Sequence, residues 1–269
     1  PGRNRKVAKG KDKAFFHLAD DWIVANDACR GPWSVDACHA GPVTGTMARA
    51  VEQAVPGKQL VRLTLSFQRP IPMAGFRIVA KLEREGRAAT TASAELRDRS
   101  GRFCALASSL HLASFTPAVF PTSSIPHPVF ADARKGGFPV QNPLHDLPFF
   151  GAGIEAAYPP GETGEPGPTT IWMRTMPLLE DEDPSPFQTL CPIADCGNGI
   201  SRNAEFSVAS FVNADLTVLA YRLPESKWIA SSAISFWEPN GIGMSQATLF
   251  DTKGALCVAL QTLIVRPTT

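Results

Sequence analysis

Along the chain, stretches in which every second residue is apolar alternate with stretches in which apolar residues return every third or fourth position. The order of these two patterns sketches a fold. Phe15–Ala25 mixes aromatic and β-branched residues with acids and predicts a first or edge strand. Ala28–Pro42, rich in Gly, Pro and Cys, predicts a loop. Val43, Met47, Ala50, Val51 and Ala54 then recur at helical spacing until Pro56-Gly57, which predicts one amphipathic helix of about three turns. Four strand-like runs follow, Leu60–Arg69, Phe76–Arg84, Ala88–Asp98 and Phe103–Ser114, separated by Pro, Gly or charged turns. One helix followed by a meander of long antiparallel strands is an α+β unit, whose sheet must wrap the helix to bury it.

The pattern lapses over Thr116–Pro168, which holds eleven of the 24 prolines and predicts a connector running over the surface. Its Gly151-Ala-Gly153-Ile-Glu-Ala156 has the form GxGxxA but lacks a strand–turn–helix setting, so it carries no dinucleotide reading. Thr169–Met176 resumes strand character and takes the role of Phe15–Ala25. Ser185-Pro186 supplies an N-cap and a first helical residue for a helical stretch Phe187–Ile200. Pro192 lies inside that stretch and predicts a kink or restart near residues 188–192. The runs Phe211–Arg222, Trp228–Trp237, Met244–Phe250 and Ala255–Val265 complete a second helix-then-meander. The expected organisation is a basic, disordered tail (1–13), a first unit (14–115), the connector (116–168) and a second unit (169–269).

The two units are copies. A shift of 153 residues lays Asp98-Arg-Ser-Gly101 on Asp251-Thr-Lys-Gly254, and Leu63, Thr64, Arg69, Ala94, Leu96 and Cys104 on Leu216, Thr217, Arg222, Ala247, Leu249 and Cys257. A repeat of this length is a duplicated small domain rather than a solenoid unit. At the same shift Gln261 replaces Ser108 and Asn213 replaces Leu60, so the second copy carries polar groups where the first is small or apolar. One-sided chemistry produces such an asymmetry, and so does drift.

Composition narrows the function classes. Twenty-six basic and 25 acidic side chains leave a net charge of +1, which points to no nucleic-acid partner. No apolar run approaches the roughly 20 residues of a membrane span. The six cysteines (29, 38, 104, 191, 196 and 257) form no CxxC and read as reduced thiols, which suggests a cytoplasmic protein. Residues 3–13 carry six cations and no apolar core, unlike a secretory signal. There is no GxSxG elbow, Walker loop or HExxH, and the five histidines (17, 39, 111, 127 and 145) are scattered.

The closing strand, DTKGALCVALQTLIVR (251–266), carries one informative polar residue. Gln261 shares a face with Ala255, Cys257 and Ala259, where an amide must find partners or cost on the order of 1–3 kcal/mol. Residues 28–113, with ACHAGPVTGTMARAVEQAVPGKQLVRLTLSFQRPIPMAGFRIVAKLEREGR, resemble the N-terminal hotdog of acyl-CoA thioesterase II-like proteins. Residues 186–267 resemble its C-terminal hotdog through PIADCGNGIS, VNADLTVLAYR and DTKGALCVALQTLIVRP. The resemblance implies a double hotdog, two tandem helix-wrapped antiparallel sheets in one chain. It also implies an acyl-CoA or other acyl thioester substrate, no cofactor or metal, and a homodimer or larger assembly. In that family a carboxylate, a hydroxyl or amide residue and a glutamine bind and activate a water. Position by position these are Asp195, Asn213 and Gln261, with Asn213 standing where the bacterial enzyme has a threonine.

Each residue also has a plain structural reading: Asp195 as a local cap, Asn213 as a turn residue, Gln261 as a satisfied core amide. His39 reads as an exposed loop histidine, and Trp33, Trp228 and Trp237 as core or interface aromatics. Arg69, Arg222 and Arg266 read as solvated strand ends. The expected acyl site is an apolar tunnel between the two helices. Two rivals to hydrolysis stay open: another hotdog enzyme on an acyl or polyketide thioester, such as a dehydratase or biosynthetic thioesterase, and a catalytically silent acyl-binding protein.

Overall fold

The computed structural model describes residues 12–115, 120–140 and 146–268. Most of the expected basic tail (residues 1–11), and residues 116–119 and 141–145 of the expected connector, lie outside the described residues. The first unit runs β1 (Phe16–Ala19), β2 (Trp22–Ala25), α1 (Ala40–Ala54), β3 (Gln59–Phe67), β4 (Phe76–Arg84), β5 (Ala89–Asp98) and β6 (Phe103–Leu112). Then come β7 (Arg134–Gly136), β8 (Ile154–Tyr158) and β9 (Thr169–Thr175). The second unit continues with α2 (Pro186–Ala194), the single turn α3 (Gly197–Ile200), β10 (Ala209–Asn213), β11 (Asp215–Ala220), β12 (Ile229–Trp237), β13 (Ile242–Asp251) and β14 (Gly254–Pro267). The strands form one antiparallel sheet in the order β1-β2-β4-β5-β6-β3-β11-β14-β13-β12-β9-β8-β7, with β10 beside β14.

The two copies join edge to edge through β3 and β11. Their register pairs Thr64 with Thr217, Leu63 with Val218 and Leu65 with Leu216. Thr64 and Thr217 are equivalent residues of the repeat, so the approximate two-fold axis passes between them, where their Oγ1 atoms are 3.1 Å apart. The pairing removes what would otherwise be an open edge on each half.

Three expectations about elements need correction. Phe15–Ala25 is a hairpin, β1 and β2, because Asp20 takes a positive φ of 54° and turns the chain. The run Phe211–Arg222 is two strands, both paired with β14, interrupted at Ala214. The register of β3 shifts at the equivalent place, between Leu60 and Arg62. The helix does not break at Pro192 but runs through it to Ala194 and restarts at Gly197. A proline deletes one i→i−4 bond, and here the chain turns only at Asp195–Cys196, where Cys196 N–H reaches back to Ile193 rather than Pro192. The expected cap is present: Ser185 Oγ accepts from Gln188 N–H at 3.1 Å.

The repeat itself slips by one residue in its last strand. Ala94 pairs with Ala107 in the first copy, and Ala247 with Ala259 in the second. The first hairpin turn spans Arg99–Gly101, whereas the second spans only Thr252 and Lys253, with Asp251 paired directly to Gly254. Gln261 therefore occupies the place of buried Ser109, not of Ser108, which lies on the exposed face.

The helices run antiparallel inside the wrapped sheet. The N-terminal half of α1 is buried all round, through Gly41, Pro42, Val43, Thr44, Gly45, Thr46, Met47 and Ala48. Gly41 is required there: a Cβ would lie 2.8 Å from the Pro192 carbonyl oxygen. At the opposite end Glu52 accepts from Ser185 Oγ and from Gln188 Nε2 at 2.7 Å, tying the end of α1 to the start of α2. Burial raises the Glu52 pKa, and those two bonds oppose the rise.

Candidate active site

The site forms where the end of α2 meets the start of α1. Asp195 is the C-cap residue of α2 and is only 4% exposed. Asn213 ends β10 just before the interruption, and Gln261 points inward from β14. Gly197 lets the backbone approach β14, since a Cβ there would lie 3.3 Å from Gln261 Oε1. That approach brings Asn198 N–H within 3.1 Å of the same oxygen.

Asp195, Asn213 and Gln261 come together. Asp195 Oδ1 accepts from Asn213 Nδ2 at 2.9 Å and from Gln261 Nε2 at 3.0 Å. Gln261 Nε2 also reaches the Asp195 carbonyl at 3.2 Å, so the glutamine is satisfied at both ends. Both amides present their NH₂ groups to the carboxyl and hold it in place.

A fourth residue joins them. His39 Nδ1 lies 3.1 Å from Asp195 Oδ2. It is not an exposed loop histidine: it caps α1, with Gly41 N–H 3.1 Å from Nδ1, and its ring stacks on Phe150 at 3.8 Å between centroids. Burial pushes the His39 pKa down to about 3, so the ring is neutral. Burial pushes Asp195 up to about 7, against the opposing bonds from Asn213, Gly41 N–H and Gln261. Two lone pairs facing at 3.1 Å would repel, so a proton lies between Nδ1 and Oδ2. When it sits on Asp195, Nδ1 accepts from the carboxyl. When it sits on Nδ1, Gly41 N–H serves the carboxylate instead.

A cavity of about 440 Å³ has this cluster at its buried end. It is not a tunnel between the helices, which pack directly at Gly41 and Pro192, but a chamber at their ends. Gln68, Arg69 and Pro70 form an exposed part of its rim. Phe138, Val140, Phe149 and Phe150, from the expected connector, form one wall. Trp33 lines the chamber rather than filling a core. Arg222 is not a solvated strand end, because it forms a two-pronged ion pair with the fully buried Asp251, at 2.8 and 2.6 Å. The GxGxxA segment is a 3-10 turn, Phe150–Gly153, running into β8. Among the described residues, no helix is long and apolar enough to cross a membrane.

Residues 29–112 match the family model of the acyl-CoA thioesterase N-terminal domain, and residues 125–265 that of the C-terminal domain. The chain belongs to the acyl-CoA thioesterase family. Its C-terminal match begins well before the second helix, so β7 and β8 fall within it. No curated protein matches the sequence. A Novosphingobium aromaticivorans protein provisionally assigned as a thioesterase superposes with a TM-score of 0.75 at 18% identity, over 93% of this chain and 98% of that one. A hot dog fold protein from Alicyclobacillus acidocaldarius gives 0.73 at 15%, over 98% and 100%. The acyl-CoA thioesterase II TesB2 of Mycobacterium marinum gives 0.63 at 14%, over 94% of each chain. At these identities the structural likeness is one of fold, and the fold is the double hotdog. An acyl-CoA thioesterase family chain is thioesterase-like in function, and the family implies acyl-CoA substrates.

His39, before the first helix, could have lined a cleft on the sequence alone, but it read there as an exposed loop residue; it lines the cavity. Its place just before a helix could have flagged it as a cap, but its contact with Asp195 joins the two copies and leaves no trace in local pattern.

Proposed function

We propose that the protein hydrolyses an acyl thioester with water activated by Asp195. The observation that carries this reading is a buried carboxyl, pushed up to about 7, at the end of an otherwise apolar cavity. A general base is most effective with a pKa near the working pH. In its ionised form Asp195 takes a proton from water as the water oxygen bonds to the thioester carbonyl carbon. The C–S bond then breaks and the thiolate leaves with its electron pair, taking up a proton to give acid and thiol. Asn213 and Gln261 fix the orientation of the carboxylate, which in turn fixes the line of attack. Ala40, the first residue of α1, lines the same cavity, and the positive end of the helix dipole there favours the developing oxyanion.

The test is thiol release from acyl-CoAs of short, medium and long chain, beside Asp195→Asn. Turnover is expected to fall by about 10²–10⁴-fold in the variant, the usual worth of a general base. It should also rise with pH through about 7 in the parent, as Asp195 loses its proton. Equal, feeble release by both proteins would remove Asp195 from the mechanism.

One observation favours a second reading. The His39–Asp195 pair is also an acid–base couple of the kind that dehydration of a β-hydroxyacyl thioester requires. An enoyl thioester rather than a free acid as product would identify that reaction.

A further inference from the structure

The walls of the cavity are aromatic on two sides. On one side Trp33 meets Phe206 and Phe211 edge to face, with ring centroids 5.4 and 5.5 Å apart. Phe211 is buried and Trp33 and Phe206 are half-buried, and all three line the chamber. On the other side Phe138 meets Phe150 edge to face at 5.6 Å, and half-buried Phe149 lies beside them. The inner end is shut. Helix α1 touches α2 at Gly41 without room for a methyl group, and His39, Asp195 and Asn213 line the chamber beside that contact. A long aliphatic chain lying against those rings gains burial but no ring–ring contact. At about 440 Å³ the chamber is within the ordinary range for a small-molecule site, and aromatic rings line it.

We propose that the acyl group this protein accepts is compact and carries an aromatic ring, rather than a long aliphatic chain. The ring lies between Trp33 and Phe206 on one side and Phe138 and Phe149 on the other. Aromatic rings pack edge to face or offset against one another and gain beyond simple burial when they do. The thioester carbonyl then projects towards Asp195. The proposal deepens the thioesterase reading and rests on it for the position of the carbonyl, but the choice of acyl group is decided by the chamber walls alone.

Binding of two non-hydrolysable thioethers, S-benzyl-coenzyme A and S-hexadecyl-coenzyme A, to the full chain tests it by calorimetry. The benzyl compound is expected to bind about ten-fold more tightly, the worth of one or two favourable ring contacts. Trp33→Leu and Phe206→Leu, each checked for folding by circular dichroism, should each weaken benzyl binding several-fold, and by a larger factor than they weaken binding of S-butyl-coenzyme A. Two separate variants are used so that loss of fold in one leaves the other informative. Equal or tighter binding of the hexadecyl compound, or no binding of either, would overturn the proposal. Benzyl binding without turnover of any thioester would sink the hydrolase reading and leave the aromatic site standing.

Discussion

At the scale of single residues, one proton decides the behaviour of the site. An unfolded chain releases the Asp195 proton in the ordinary carboxylate range, whereas the folded chain holds it up to about pH 7 because burial disfavours the charge. Between those values the unfolded state binds fewer protons, so Asp195 makes the fold less stable as pH rises through that window. Asn cannot ionise. Its oxygen keeps the bonds from Asn213 and Gln261, and its NH₂ can donate to His39 Nδ1. Asp195→Asn should therefore lose activity yet melt above the parent at pH 8, by a margin that shrinks at pH 4. Melting curves at the two pH values check this. Gln261→Glu acts in the opposite sense: a second carboxyl beside the first makes double ionisation costly, and the rising limb of the pH–rate profile should move above 7. A limb that stays in place would mean Asp195 does not set it. Gln261 was legible as an amide in need of partners, and it found three; the identity of those partners was not legible.

At the scale of elements, the active geometry depends on how two short helices touch. Gly41→Ala would place a methyl group 2.8 Å from the Pro192 carbonyl oxygen and 3.1 Å from the Asp195 Cβ. Neither helix has a flexible side chain there to give way, so the helices must separate. Overpacking of this kind costs about 1–3 kcal/mol, and here it displaces the Asp195 end of α2 as well. The variant should show both a lower denaturation midpoint and a lower kcat; an unchanged kcat would mean that the α1–α2 seam does not position Asp195. The helices and long strands were readable because each buries one face, which writes a period into the chain. What was not readable was where irregularities fall. The turn after β13 is shorter than its counterpart after β5, and that single residue moves Gln261 onto the inner face opposite Ser245. The pleat makes such a slip reverse every side chain that follows.

At the scale of the whole molecule, the duplicated halves share a sheet but not the same polar residues. The equivalent aspartates at the hairpin turns are held by different arginines: Asp98 accepts from Arg102 of its own turn, and Asp251 from Arg222 after β11. Burial alone would raise the pKa of Asp251, but the Arg222 fork and the N–H groups of Glu225 and Lys253 outweigh it and hold the carboxyl at about 2. Its contribution to stability is thus present above the ordinary carboxylate range and lost as pH falls through about 2. Arg222→Ala strands a fully buried charge and should cost about 3–5 kcal/mol, read as a shift in the urea midpoint at pH 7. A shift under about 1 kcal/mol would mean the pair is solvated after all. By itself the sequence determined the duplication, the helix-then-meander order of each half and the polar Gln261 and Asn213 of one copy, while Asp195 came from the family resemblance. Periodicity, turn residues and polar groups on apolar faces are local facts, and local facts survive in a linear text. The tertiary structure alone decided that His39 Nδ1 of one half lies 3.1 Å from Asp195 Oδ2 of the other, and that connector aromatics wall the cavity. It alone also closed the seam between the helices. Those contacts join segments far apart in the chain, and only the packing of one copy against the other brings them within a hydrogen bond's reach.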